Sequence, residues 1–423
     1  MITADDLKTA RVDVAIAPVG SQERVAALDV LRGVALFGVF LINMMGFAGE
    51  NVMATQRQLL ELPTYPLDLT LHQLIVWLGV DKANTLFAFL FGLGFYLQMQ
   101  RLGERGADFE RIYLRRLMAL LLIGLAHTFL LWTWDILHVY ALAGFMLFAL
   151  RKLSNRTLLI GGLLLAVLAR IAQASLIEFG GLDSWNGYPS PYSEEAVLAR
   201  QQLSLAGDYW GLVHAMGWYY FVDFIANGLL AAWLLYVLGR FMLGAWVGRH
   251  GWLQQARNYL PGFRHVLRLA LPAGLVVAAL SQLINIGIQE GRLSQDSHWI
   301  YTAEVLHLVS VPMLAAGYIC AIVVGLHTRT GAKLLAPFAY AGRMALTNYI
   351  TQSFVYGFVL FGVGPGLALA GKIGTTAVTL IVIGAYALQI AFSQWWLTRF
   401  RYGPLEWVWR ALTYGYWPKL AVA

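Results

Sequence analysis

Ten long apolar stretches constrain this chain more than any other feature. They run at about 28–48, 82–100, 115–133, 136–150, 157–178, 217–238, 266–288, 303–326, 337–361 and 373–396, separated by loops that hold nearly all the charge. About 20 apolar residues in a helix span the hydrocarbon core of a bilayer. A closed barrel would need short alternating strands, and these runs are continuous. The expected fold is therefore all-α, a polytopic membrane protein of about ten transmembrane helices. Composition agrees. The 423 residues are 59% hydrophobic and 13% charged, where a soluble domain carries about 25% charge.

The loops alternate in charge. Lys and Arg concentrate in the N-terminal tail, in the segments 101–116, 151–156, 240–268 and 327–335, and from residue 399 onward, which together hold 22 of the 30. The intervening loops hold Arg57, Arg200, Arg292 and Lys372. Basic loops face the cytoplasm, so both termini are expected there. The chain divides into a tail (1–27), one ten-helix domain (28–398) and a C-terminal tail (399–423) whose Trp and Tyr residues suit the headgroup zone. The net charge of +7 follows from this topology and from contact with anionic lipid, not from nucleic-acid binding. No cleavable signal peptide is visible. The single Cys320 excludes an intrachain disulfide and reads as a small core residue.

Arg32, Lys82, Arg170 and Arg343 lie inside or at the edge of apolar stretches, where charge is costly unless paired or used. With about 1.5 Å of rise per residue, such groups sort into two levels. Near the cytoplasmic end, Asp29 and Arg32 lie one turn apart on the first helix and Arg343 lies on the ninth. Asp29 and Arg32 read either as a local ion pair or as a cation awaiting a phosphate or carboxylate. Asn43 lies near the outer end of the first helix, and Asn348 follows Arg343.

At the outer level, His127 ends the third helix, and Asp135 and His138 open the fourth. A carboxylate beside a histidine fixes its tautomer and raises its basicity, although Asp135 is also placed to cap the fourth helix. Arg170, Asp223, Asn227, Gln282, Asn285, Glu304 and His307 fall at similar depth. Polar groups at one level of an apolar bundle are expected to face one another or a wet cavity. Glu304 and His307 resemble half of a Glu-x-x-His metal site; with no second pair in the sequence, no metal is predicted. The loop 180–214, with Asp183, Trp185 and the run Tyr188 to Tyr192, reads either as a cap over a cavity or as a solvated acidic loop. His72 lies on a short amphipathic segment before the second helix. Gly92 and Gly94 suit close helix approach, and Gly244 with Gly248 suggests helix association, including a homodimer.

Several of these residues stand in recognisable motifs. Leu28-Asp29-Val30-Leu31-Arg32-Gly33, the run Thr85 to Gly94, the stretch from Arg115-Arg116 through His127 to Leu137, Gly342 to Tyr349, and Gly403-Pro404-Leu405-Glu406-Trp407 resemble the YeiB-like family, a bacterial inner-membrane family carrying a domain-of-unknown-function label. The likeness covers nearly the whole chain. Asp29-x-x-Arg32-Gly33, with Asn43 eleven residues after the arginine, is more distantly similar to the transmembrane acyltransferases that include heparan-α-glucosaminide N-acetyltransferase. That resemblance implies a cytoplasmic acyl-CoA donor and an acceptor on the other face, reached through a histidine in the loop after the first helix. Arg32 and Asn43 match the pattern. The loop histidine does not, since Gly46 to Thr64 holds none and His72 is the nearest.

Two functions are expected from these features. The first is acyl transfer across the membrane. His127, held by Asp135, or else His72, would act as base or acyl carrier, Asn43 would stabilise the oxyanion, and Arg32 and Arg343 would bind the donor's phosphates. The acceptor would be a small molecule, glycan or lipid. The second is a transporter or lipid-handling protein with the same polar cavity and no acyl transfer.

Overall fold

The computed structural model describes residues 26–49, 52–104, 108–179, 187–294 and 297–422, without the side chains of 176–179 and 297. Lys8, Arg11 and Arg24 of the tail, and Asp183 and Trp185 of the loop, lie outside the described residues. Among those described the chain is helical. The helices are α1 (Ala26–Ala48), α2 (Gln56–Leu60), α3 (Tyr65–Leu78), α4 (Lys82–Glu104), α5 (Phe109–Leu130), α6 (Leu137–Ala149), α7 (Asn155–Phe179), α8 (Glu194–Leu205), α9 (Tyr209–Tyr220), α10 (Leu229–His250), α11 (Leu260–Gln289), α12 (Ser297–Leu326), α13 (Arg329–Arg343), α14 (Ala345–Leu360), α15 (Thr375–Leu397) and α16 (Pro404–Tyr414).

Eight helical stretches among the described residues are long and apolar enough to cross a bilayer; α3 and α4 count as one of them. Leu163, Leu164, Leu283, Leu380 and Leu388 on α7, α11 and α15 stay exposed, as lipid-facing leucines do in a multi-pass protein. The two expected stretches outside the eight are the fourth and the ninth. The fourth is α6, apolar but only 13 residues long. The ninth is not one helix. It breaks at Met344 (φ −112°, ψ 36°) into α13 and α14.

The break has a physical cause. A Cβ at Gly33 would collide with the Phe338 carbonyl, and one at Gly342 with the Asp29 carbonyl. Two glycines therefore seat α13 against α1 with backbones in contact, and the chain must turn to continue as α14. The turn frees the first N–H groups of α14. Glu406 on α16 takes them: Leu346 N donates to Oε1 at 2.6 Å and Thr347 N at 3.1 Å, while Thr347 Oγ1 donates to Oε2 at 2.6 Å. The C-terminal segment thus packs into the bundle as a cap on α14. Asn348 closes the junction, its Nδ2 donating to Ala341 O at 3.2 Å and to Ser393 Oγ at 3.0 Å.

The sixth helix is also shifted from its expected bounds. The run 217–238 contains α9, a π-helical turn at Phe221–Ala226, and a stop at Asn227 and Gly228 (φ 69°) before α10 begins. Asp223 lies in that π-helical turn and Asn227 ends it. Arg240, expected in a basic loop, is 2% exposed inside α10. Its Nε donates to Thr85 Oγ1 at 2.6 Å and its guanidinium stacks on Tyr236, which makes the interior tolerable for the charge. Gly244 is used within the chain. A Cβ there would collide with Phe89 O, and one at Gly92 with Phe241 O, so α4 and α10 pack backbone to backbone.

Candidate active site

Helix α5 ends at Leu130 and the chain reverses within six residues to enter α6 at Leu137. Gly124 permits the tight pairing of the two helices, since a Cβ there would strike the His138 backbone. The reversal carries Asp135 back against His127, one turn from the end of α5. The result is a buried network. His127 Nδ1 lies 2.8 Å from Asp135 Oδ1, and its Nε2 lies 2.7 Å from Ser353 Oγ on α14. Asp135 Oδ2 accepts His138 N at 3.0 Å and faces His138 Nδ1 at 3.2 Å. The Tyr349 hydroxyl donates to Asp135 Oδ1 at 3.2 Å. His138 Nε2 meets the Tyr220 hydroxyl at 2.9 Å, and Thr128 Oγ1 stands 3.0 Å from His138 Nδ1.

The protonation pattern follows from acceptor arithmetic. An ionised carboxylate only accepts, with room for about four donors. Asp135 faces four: His127 Nδ1, His138 Nδ1, His138 N and the Tyr349 hydroxyl. Both imidazoles then carry their proton on Nδ1, and His127 Nε2 is left to accept the Ser353 O–H. Asp135 is fully buried, and Ser353 is 5% exposed. Such a carboxylate is tolerable only because every lone pair has a partner. Asp135 thus both caps the first turn of α6 and orients His127.

Beside this network lies a cavity of about 310 Å³. Its lining runs from Asp29 and Arg32 to Val39 along α1, ten residues or about 15 Å of helix rise. At one end stand five arginines: Arg32, Arg101, Arg116, Arg343 and Arg410. The opposite end is closed by Val39, Ile136, Leu137, Tyr140 and Tyr349. Two carboxylates join the lining, and both are engaged. Asp29 pairs with Arg32 at 3.1 Å, and Glu406 caps α14. Burial pushes the Glu406 carboxyl above its ordinary range although Thr347 and Leu346 donate to it. Arg116 stacks on Trp409 at 3.7 Å. The Nε atoms of Arg343 and Arg410 are buried without a hydrogen-bond partner. Gly94 faces the Arg32 guanidinium, leaving open space where a side chain would stand.

The expected site residues therefore separate by helix face. Arg32, Asp29 and Arg343 line the cavity, whereas His127, Asp135 and His138 form the network behind Tyr349 and Ile136 and do not line it. Asn43 lies one turn beyond Val39, beside the Tyr356 hydroxyl. His72 is exposed on α3, and none of the network's hydrogen bonds reaches it. The remaining polar groups do not form one ring. His307 Nε2 pairs with Asp81 Oδ2 at 2.9 Å, Arg170 with Glu304 at 3.7 Å, and Asp223 bonds Tyr192 and Trp134. Glu304 and His307 thus turn to different partners. Asn227 ends the π-helical turn, Asn285 stays apart on α11, and Asn348 serves the α13–α14 junction.

Ser353, Tyr349, Tyr220 and Thr128 were not among the expected residues. A signal for the first two exists in the sequence. Tyr349, Gln352, Ser353 and Tyr356 recur at i, i+3, i+4 and i+7 along α14 and are all buried, a polar stripe on one face of an otherwise apolar helix.

Residues 247–416 match the model of a family described as a protein of unknown function (DUF418). The chain is 31% identical over 416 residues to the uncharacterized protein YxaH of Bacillus subtilis, covering 96% of this chain and 98% of that protein. It is 29% identical over 401 residues to the uncharacterized protein YeiB of Escherichia coli, covering 92% and 96%. An uncharacterized 39.9 kDa protein of Bacillus acidopullulyticus is 26% identical over 397 residues, covering 94% of this chain.

Proposed function

The chain belongs to the YeiB-like family, and from the chemistry of its own site we propose that it is a transmembrane acyltransferase. It takes an acyl group from a cytoplasmic acyl-CoA-type donor and passes it to an acceptor at the outer face of the bacterial inner membrane. One observation carries this reading: the arginine-lined cavity ends at Tyr349 and Ile136, which are bonded to each other and to the Asp135–His127 pair.

The donor's chemistry fits the cavity's two ends. Guanidinium groups bind phosphate as charge-assisted, often bidentate partners, and the unpartnered Nε atoms of Arg343 and Arg410 offer N–H groups for that purpose. The apolar lining beyond them, with Phe91, Leu120 and Val39, suits a pantetheine arm and an acyl chain. A volume of about 310 Å³ lies at the lower end of small-ligand sites, roughly 300–1,000 Å³, and leaves the nucleotide at the mouth. The basic loops favour a cytoplasmic mouth.

At the closed end His127 acts as general base, and Asp135 stabilises the imidazolium that forms. Asn43, beside the Tyr356 hydroxyl, is the side-chain amide assigned as oxyanion donor. The acceptor is a hydroxyl or amine on a small molecule, glycan or lipid.

The test uses the full-length protein in proteoliposomes. Coenzyme A should bind, and acyl-CoA should release free thiol in the presence of an acceptor extract. His127→Ala should keep coenzyme A binding and lose release. Absence of coenzyme A binding, or wild-type release in the variant, overturns the reading. Accumulation of solute without any acyl donor favours transport instead.

A further inference from the structure

Three side chains of the buried network stand in the order of a nucleophilic relay. Asp135 Oδ1 to His127 Nδ1 is 2.8 Å, and His127 Nε2 to Ser353 Oγ is 2.7 Å. All three are 5% exposed or less. A serine hydroxyl bonded to a neutral imidazole nitrogen, with a carboxylate on the far nitrogen, is an activated nucleophile whatever fold carries it. A serine present only for helix packing has a nearer partner, the carbonyl one turn back. Ser353 bonds the imidazole instead.

Its surroundings suit acyl chemistry. Tyr349, one turn before Ser353 on the same face of α14, forms part of the cavity wall. Tyr356, at i+3, packs on Trp132, with ring centroids 4.2 Å apart. The Trp132 indole N–H is buried without a hydrogen-bond partner, and buried N–H donors are the groups that stabilise a developing oxyanion. Asp135, His127 and Ser353 do not themselves line the cavity. They stand behind Tyr349, which does and which bonds Asp135, so the acyl end of a donor anchored by its phosphates would reach Ser353 past the Tyr349 side chain.

We propose that Ser353 is the acyl-accepting nucleophile of this protein, so that transfer proceeds through a covalent Ser353 ester. The proposal rests on the acyl-transfer reading and adds an intermediate to it. In the first half, Ser353 Oγ attacks the thioester carbonyl and its proton passes to His127 Nε2. The carbon–sulfur bond breaks, and the thiolate takes the proton from His127 to leave as free thiol. In the second half, the acceptor hydroxyl or amine gives its proton to His127 and attacks the ester. The bond from Ser353 Oγ to the acyl carbon breaks, and the proton returns to Oγ. No oxidant or reductant is needed.

Two probes test this on the full-length protein in detergent. The first is acetyl-coenzyme A labelled in the acetyl group. After rapid denaturation, peptide mass spectrometry should find one acetyl group on Ser353. Ser353→Ala should carry none and lose turnover by at least ~10³-fold, the scale for loss of a nucleophile. Ser353→Cys keeps a nucleophile of similar size and should form a thioester cleaved by hydroxylamine far faster than the serine ester. It also guards against loss of label through misfolding. The second probe is a fluorophosphonate, which reports Ser353 reactivity without any acyl-CoA. An unlabelled Ser353 in protein that turns over, or acetyl found on His127, overturns the proposal while acyl transfer stands. Fluorophosphonate labelling without coenzyme A binding leaves the nucleophile and removes the donor. Failure of both probes overturns the proposal.

Discussion

The Tyr349 hydroxyl donates to Asp135 Oδ1 at 3.2 Å across 214 residues of sequence, and the same side chain walls the closed end of the arginine-lined cavity. One residue therefore belongs to both halves of the proposed site. Tyr349→Phe keeps the wall and removes the hydroxyl. Coenzyme A binding should persist. Turnover should fall by roughly 10–100-fold, because Asp135 loses one of its four donors and holds His127 less firmly; a bond to a charged group is worth about 1.5–3 kcal/mol. Kinetics separate the two effects: kcat should drop with KM nearly unchanged. A raised KM alone would place the hydroxyl in donor binding instead.

Donor affinity should depend on the arginines as a group with distinct members. Arg343 carries a buried, unpartnered Nε, while Arg32 is already paired with Asp29. Arg343→Ala should weaken coenzyme A binding by about 10-fold or more, which corresponds to about 1.4 kcal/mol. Arg343→Lys should restore only part of it, since an ammonium cannot reproduce a planar fork. Titration calorimetry at two salt concentrations checks both. Equal affinity in all three proteins would move the phosphate site elsewhere.

Depth and periodicity made the bundle legible. His127, Asp135 and His138 also announced themselves, because a short turn between two apolar runs leaves them no room to separate. Arg32 and Arg343 were visible as charge where charge is costly. Ser353 was not, for it lies 226 residues from His127 inside an apolar run, where a lone hydroxyl looks like packing. Level alone also misled. It grouped Arg170, Glu304 and His307 with His127, whereas the direction of each side chain around its helix sends them to other partners. Arg240 is not legible as a buried charge because the apolar run ends at about residue 238, although α10 continues to His250.

Backbone contact between α1 and α13 should make its two glycines intolerant. A Cβ at Gly33 meets the Phe338 carbonyl, and one at Gly342 meets the Asp29 carbonyl. Neither obstacle is the movable end of a side chain. Gly342→Val should cost at least the ~1–3 kcal/mol of an overpacked core and displace Asp29 and Arg32 from the cavity. Gly357→Ala on α14, where a Cβ meets nothing within 4 Å, is the matched control. Size-exclusion profiles and thermal stability in detergent should separate the two variants. A monodisperse Gly342→Val with unchanged melting would refute the seating of α13 on α1.

Glu406 gives stability a defined dependence on pH. It lies on α16, outside the eight apolar stretches, and burial raises its carboxyl pKa above the ordinary value. The folded protein therefore holds this proton to higher pH than the unfolded chain, whose glutamate titrates near 4.3. Where the folded state binds more protons, stability falls as pH rises. The contribution is complete below the unfolded value and is lost as pH climbs through the folded one. Glu406→Gln should be less stable throughout, because its amide cannot accept from all three donors of Leu346 and Thr347. Its melting temperature should also vary less than that of the parent as pH rises above the unfolded value of about 4.3. If the parent's advantage over the variant instead grew as pH rose, the carboxylate form would be the one the α14 N-terminus stabilises, and the sign would be reversed.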